Sequence, residues 1–260
     1  MTDEGAVISD DDGLHAKLAT AMAGADTALG AADLLCRACV QLFQVDGASV
    51  SLTHDGSTQG TFGSSGDLSR RLDELQFTFG EGPCLDAVRQ GEPVLAPDLG
   101  DPAETRWPAF ADALVRAGIS AVFALPVTIA SKPVGALDLF RRAAGGLDEP
   151  ALTGGLLAAE LAALPLMDLM SSGFDWDAAV QGGDGWEQLA SMSRVEVYQA
   201  TGMLIGALGV GPTEALLRLR AYAFAHDMTA TDTAWAIVEG RLSLDPGDWS
   251  APGRHGEEPG

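Results

Sequence analysis

Positive charge is scarce in this chain. Its 15 Lys and Arg residues stand against 37 Asp and Glu, a formal net charge of −22. That balance disfavours non-specific binding to nucleic acid or anionic membranes and favours solubility, although partners are bound by patches and not by sums. Cysteine is scarce too. Three thiols, Cys36, Cys39 and Cys84, exclude a disulfide scaffold and fit a reducing compartment. No long apolar run occurs. The best candidate, "LLAAELAALPLMDLM", is interrupted by Glu160, Pro165 and Asp168 and falls short of the ~20 residues a span requires. The opening "MTDEGAVISDDDG" is acidic, the reverse of a secretory leader. A cytoplasmic protein without a membrane partner is expected.

Catalytic signatures are also missing. His15, His54, His226 and His255 are scattered, without metal-ligand spacing. There is no phosphate-binding glycine loop, no G-x-S-x-G elbow and no acid–histidine cluster suited to hydrolysis. The expectation is a non-enzymatic protein with no metal and no cofactor.

What is present is enough apolar material for a core: 47% hydrophobic residues and 20% charged in 260 residues mark a globular chain. Residues 1–13 read as a loose tail. "LHAKLATAMAGADTALGAADLLCRACVQLFQ" has helical spacing, with Leu35, Cys39, Leu42 and Phe43 on one face. "GASVSLTHDG" and "STQGTFGSS" alternate and meet at Asp55-Gly56, the signature of a hairpin. "DLSRRLDELQFTFG" predicts a short helix with an extended exit. "GPCLDAVRQG" predicts a compact helix between Pro83 and Gly91. A brief strand in "EPVLAPDL" and a helix in "DPAETRWPAFADALVRAG" follow. Two apolar strands are joined around Ser131, Lys132 and Pro133, and a long helix runs from about Leu147 to Met170.

This order predicts an α+β domain at 14–170: an antiparallel sheet flanked by helices, of about 150 residues. "SSGFDWDAAVQGGDGW", within 171–186, reads as a linker. Residues 187–242 then carry three helical patterns, a small all-α unit. The first runs from Glu187 to Leu208 with Val197, Met203, Leu204 and Leu208 inward. The second starts at Pro212 and buries Leu216, Leu219 and Ala223, and the third, after Thr229 or Thr231, buries Ala234, Ile237 and Val238. Residues 243–260 read as a frayed tail.

The cysteines carry alternatives. C-R-A-C at Cys36–Cys39 invites a redox or metal role, but the pair sits mid-helix among apolar neighbours, with no second ligand pair, as core cysteines do. Cys84 lies in the first turn of a helix after Gly80-Glu81-Gly82-Pro83, where the dipole favours a thiolate, so it is a possible sensor.

"RVEVYQATG", "EALLRLRAYA" and "HDMTATDTAWAIVEG", in order, make residues 187–242 resemble an ANTAR domain, the three-helix RNA-binding module of bacterial antiterminators. "LDELQFTFGEGPCLDAVRQGEPVLAPDL", "RWPAFADALVRAGISAVFALPV" and "GALDLFRR" resemble the GAF sensor domain often fused to it. The resemblance implies a cytoplasmic, signal-responsive regulator that binds paired stem-loops in messenger leaders to control transcription termination, commonly as a homodimer. It also implies a small-molecule ligand in the GAF-like domain. Arg194, Arg218 and Arg220 would meet phosphate, Tyr222 would stack on a base, and Gln199 would read an edge. Ala200, Thr201 and Gly202 stand where the family has Ala-Lys-Gly, so the family's lysine is a threonine here. Over 187–242, four arginines face six acids. Two readings stay open: RNA binding, or a protein-interaction and dimerisation scaffold in which Arg218 and Arg220 are solvated surface charges and Gly202 only permits close packing.

Overall fold

The computed structural model describes residues 10–54, 57–171 and 194–245, together with Gly247 and Trp249. They fall into two units divided between residues 193 and 194.

The first unit runs α1 (Asp10–Met22), α2 (Ala28–Phe43), β1 (Gly47–His54), β2 (Ser57–Ser64), α3 (Asp67–Phe79), α4 (Pro83–Gln90), β3 (Val94–Ala96), α5 (Pro108–Arg116), β4 (Ala121–Ile129), β5 (Lys132–Arg141) and α6 (Glu149–Ser171). The strands form one antiparallel sheet ordered β2-β1-β5-β4-β3. Strand alternation divides its side chains between two cores. Leu137 and Leu139 of β5, with Phe123 and Leu125 of β4 and Val50 of β1, pack against α1, α2 and α6. Ala136 and Phe140, with Val122 and Ala124, pack against α3, α4 and α5. The expected α+β sheet is therefore present, covered on both faces. Among the described residues, α6 holds the one unbroken stretch long and apolar enough to cross a membrane, Glu149–Asp168. Here it buries Ala158, Leu161, Ala162 and Leu166 in the first core.

Several local expectations are corrected. The β4–β5 turn is made by Ala130 and Ser131, both at positive φ (48° and 64°), and Lys132 already belongs to β5. The proposed Asp55-Gly56 turn lies outside the described residues. Leu42 is exposed at the edge of a face that buries Leu35, Cys39 and Phe43. Helix α1 starts at Asp10, inside the segment expected to be a tail. The extended exit after Leu75 is helical to Phe79 instead: Gln76 and Thr78 are buried, and Gly80 closes the helix in the left-handed region (φ 68°), its N–H donating to the Gln76 carbonyl at 2.9 Å.

The second unit is a three-helix bundle: α7 (Val195–Leu208), α8 (Pro212–Ala225) and α9 (Ala230–Val238). Thr229 caps α9, its Oγ1 accepting from the Asp232 N–H at 3.0 Å. Val197, Ala200 and Leu204 meet Ala215, Leu219, Ala223, Ala234 and Ile237 in its core. Met203, expected inward, is exposed, and Leu208, Leu216 and Val238 are half-buried. Residues 187–193, expected to begin the first helix, lie outside the described residues. The terminal segment expected to fray contains a buried side chain: Trp249 stacks on Tyr222 (centroids 4.6 Å apart) and its indole N–H donates to the Ser243 carbonyl at 2.8 Å.

Candidate functional site

On the sheet face beneath α3 and α4 the core turns polar. Ser49 and Ser51 of β1, Thr61 of β2 and Asp138 of β5 point to this side, and Asp73 and Gln76 of α3 cover them. All six are buried. The Ser51 and Thr61 hydroxyls donate to the two oxygens of Asp73. The Gln76 amide bridges two elements: Nε2 donates to Asp138 Oδ2 at 2.6 Å, and Oε1 accepts from the Cys84 backbone N–H at 2.9 Å. Gly82 makes room for it, since a Cβ there would collide with the Gln76 side chain, and its φ of 146° is one L-residues rarely adopt. Burial pushes the Asp138 carboxyl well above the usual carboxylate range, the nearby Asp73 charge pushes the same way, and the Gln76 hydrogen bond opposes both. Asp73, Gln76 and Asp138 escaped sequence reasoning. The available signal was Asp138, an acid at the centre of an otherwise apolar strand.

Outside α4 lies a recess of about 600 Å³ lined by Glu81, Leu85, Asp86, Arg89, Arg106 and Trp107, among others. The Arg106 guanidinium sits 4.2 Å above the Trp107 ring and pairs with Glu104. The Trp107 indole N–H donates to Asp86 at 3.0 Å, and Arg89 also pairs with Asp86. Glu81 accepts the N–H groups of Ala109 and Phe110 (2.7 and 3.0 Å), tying this loop to the start of α5.

Cys84 does not reach solvent. It sits at the expected helix start, and a reactive thiol needs access as well as a dipole. Cys36 and Cys39 lie in the first core. Burial pushes the Cys39 thiol up to about 12 and the Cys36 thiol well above its usual value.

The nominated RNA-contacting residues separate into two groups. Gln199 and Gly202 are exposed on α7. Arg218 is partly exposed, pairing with Glu214 and donating to the Trp249 carbonyl at 3.3 Å. The others are turned inward or engaged with neighbours. Ala200 is fully buried. Thr201 is buried with its hydroxyl bonded to the Val197 carbonyl at 2.6 Å. Arg194 is buried. Arg220 is half-buried, its pKa lowered by burial and then by the Arg194 charge. Tyr222 stacks between His226 (3.9 Å) and Trp249. In their place the bundle exposes Tyr198, Phe224 and Trp235. Trp235 shares a shallow recess with Met228, Asp232, Glu239 and Arg241.

No curated protein matches the chain. Among solved structures it is similar to the GAF domain of a phosphoenolpyruvate-protein phosphotransferase from Coxiella burnetii. That match has 17% identity and a TM-score of 0.51, covering 63% of this chain and 96% of that one. The GAF domain of an Acinetobacter phosphoenolpyruvate-protein phosphotransferase matches over the same shares at 13% identity and TM-score 0.47. At such identities the likeness concerns fold alone. The sequence itself matches the GAF domain family across residues 28–164, over half its length, and the chain belongs to that family of signal-sensing domains.

Proposed function

We propose that this protein is a cytoplasmic, non-enzymatic regulator in which the GAF domain senses a small molecule and the C-terminal bundle binds stem-loop RNA to control transcription termination, the chain acting as a homodimer. The observation that carries the RNA reading is the outer face of α7. Tyr198, Gln199, Gly202, Met203 and Gly206 share it, all exposed, and a Cβ at either glycine would meet nothing within 4 Å. An aromatic ring, an amide and two gaps for close approach suit the unstacked bases of an RNA loop. Base recognition here rests on stacking and hydrogen bonding, with Arg218 and Arg241 as the accessible cations.

A gel-shift titration of the full chain against a two-stem-loop leader RNA, at several salt concentrations, tests this. Tyr198→Ala should weaken binding about tenfold by loss of stacking. Gln199→Lys should tighten it and steepen the salt dependence by about one unit. Absence of any binding to the wild type, with none gained by Gln199→Lys, rejects the RNA reading. A second reading, a protein-interaction or dimerisation scaffold, is favoured by Leu217 and Phe224, which are 65% and 56% exposed and lie two turns apart on one side of α8. It predicts a dimer that both substitutions to Ser dissociate, without RNA affinity.

A further inference from the structure

The polar chamber under α3 holds two buried oxygens that have no hydrogen-bond partner among the described residues. Asp73 and Asp138 are both fully buried on this side of the sheet. A buried carboxylate is costly unless it is paired, hydrogen-bonded or coordinated to a cation. Asp138 has Oδ2 bonded to Gln76, but its Oδ1 has no hydrogen-bond partner among the described residues, and neither does the Ser49 hydroxyl. These two residues face each other across the β1–β5 ladder, and both lie on the chamber side of the sheet. A cation shared by both oxygens satisfies them together.

We propose that this chamber is a binding site for one divalent hard cation of the calcium class, with Asp138 and Asp73 as the anionic ligands. The hydroxyls of Ser49, Ser51 and Thr61 supply neutral oxygens. The donor set is entirely oxygen, which selects hard ions over zinc or copper. Calcium fits it better than magnesium, because the ligands come from three strands and a helix and are not free to adopt a near-ideal octahedron. Such an ion would tie β1, β2 and β5 to α3 at the place where Gln76 connects them to the start of α4. The site does not depend on RNA binding by the C-terminal bundle.

The test uses the full-length protein stripped with a chelator. Calcium binding is measured by equilibrium dialysis, and thermal unfolding is followed during titration with calcium chloride, with magnesium chloride and sodium chloride in parallel. Surface acids of so acidic a chain will attract calcium as well, so the readout is the difference between wild type and variants. One calcium ion per chain, and a saturable rise in Tm, should be present in the wild type and lost in Asp138→Asn, with a tenfold or greater loss of affinity in Ser49→Ala. Equal binding in wild type and Asp138→Asn overturns the site, as does no binding at millimolar calcium. An equal response to magnesium overturns the calcium assignment. If Asp138→Asn does not fold, Ser49→Ala decides: weakened binding supports the chamber and unchanged binding overturns it. A Tm that responds to pH but to none of the three ions identifies a proton as the occupant and overturns the proposal.

Discussion

Asp138 is where a single side chain has the widest consequence. Its folded-state pKa is raised, chiefly by burial and then by Asp73, so the folded chain holds a proton that the unfolded chain releases at lower pH. Between the two values the folded state binds more protons, and stability falls as pH rises. In calcium-free protein, urea unfolding should show wild type losing stability from about pH 4 upward. Asp138→Asn should flatten that slope, since an amide has no proton to release; an unchanged slope would place the titrating group elsewhere. Cys36 and Cys39 make a contrasting pair, buried and with thiols pushed up, Cys39 to about 12. Native protein at neutral pH should react slowly with thiol reagents at both. Replacing both with serine should cost about 1–3 kcal/mol for each hydroxyl that lacks a partner, read as a lower urea midpoint.

At the scale of elements, Glu81 fixes where α5 begins. Its carboxylate takes two N–H groups of the first turn, from Ala109 and Phe110, which no residue of α5 itself supplies. Glu81→Gln should cost about 0.5–1 kcal/mol by removing charge from a helix N-terminus. Glu81→Ala should cost about 1–2 kcal/mol by removing the cap. Both should lower the denaturant midpoint without changing the m-value. Elements like α5, flanked by Pro108 and punctuated by local signals, were legible in the sequence, as were the paired strands around Ala130 and the stop of α4 at Gly91. The expected extended exit of α3 is helical instead, with Gln76 and Thr78 buried and Gln76 bonded to Asp138, which lies 62 residues away. No local period encodes that partner. Thr201 is a different case. Val197, Ala200, Thr201 and Leu204 form an i, i+3, i+4, i+7 stripe, so its burial was written in the spacing, while its nomination as an RNA contact came from the family pattern alone.

For the whole molecule, charge sets the terms of the proposed RNA binding. A chain of net charge −22 repels a polyanion at long range. Within the bundle Arg194 is buried, Arg220 is half-buried, and Arg218 and Arg241 are each paired with a glutamate. Among the described residues of the bundle, Arg218 and Arg241 would neutralise at most about two phosphates, and single-stranded contacts contribute about 0.7 each to the salt slope. The logarithm of affinity should therefore fall with the logarithm of salt concentration by no more than about 1.5 units, a shallow slope for an RNA-binding protein. Trp235→Ala, if that exposed ring stacks on a base, should lower affinity by the same factor at every salt concentration, because stacking releases no counterions. Arg241→Ala should instead flatten the slope while leaving affinity at high salt nearly unchanged. A measured slope of four or more would mean that cations other than these carry the contact, and the aromatic face of the bundle would then not be the RNA surface.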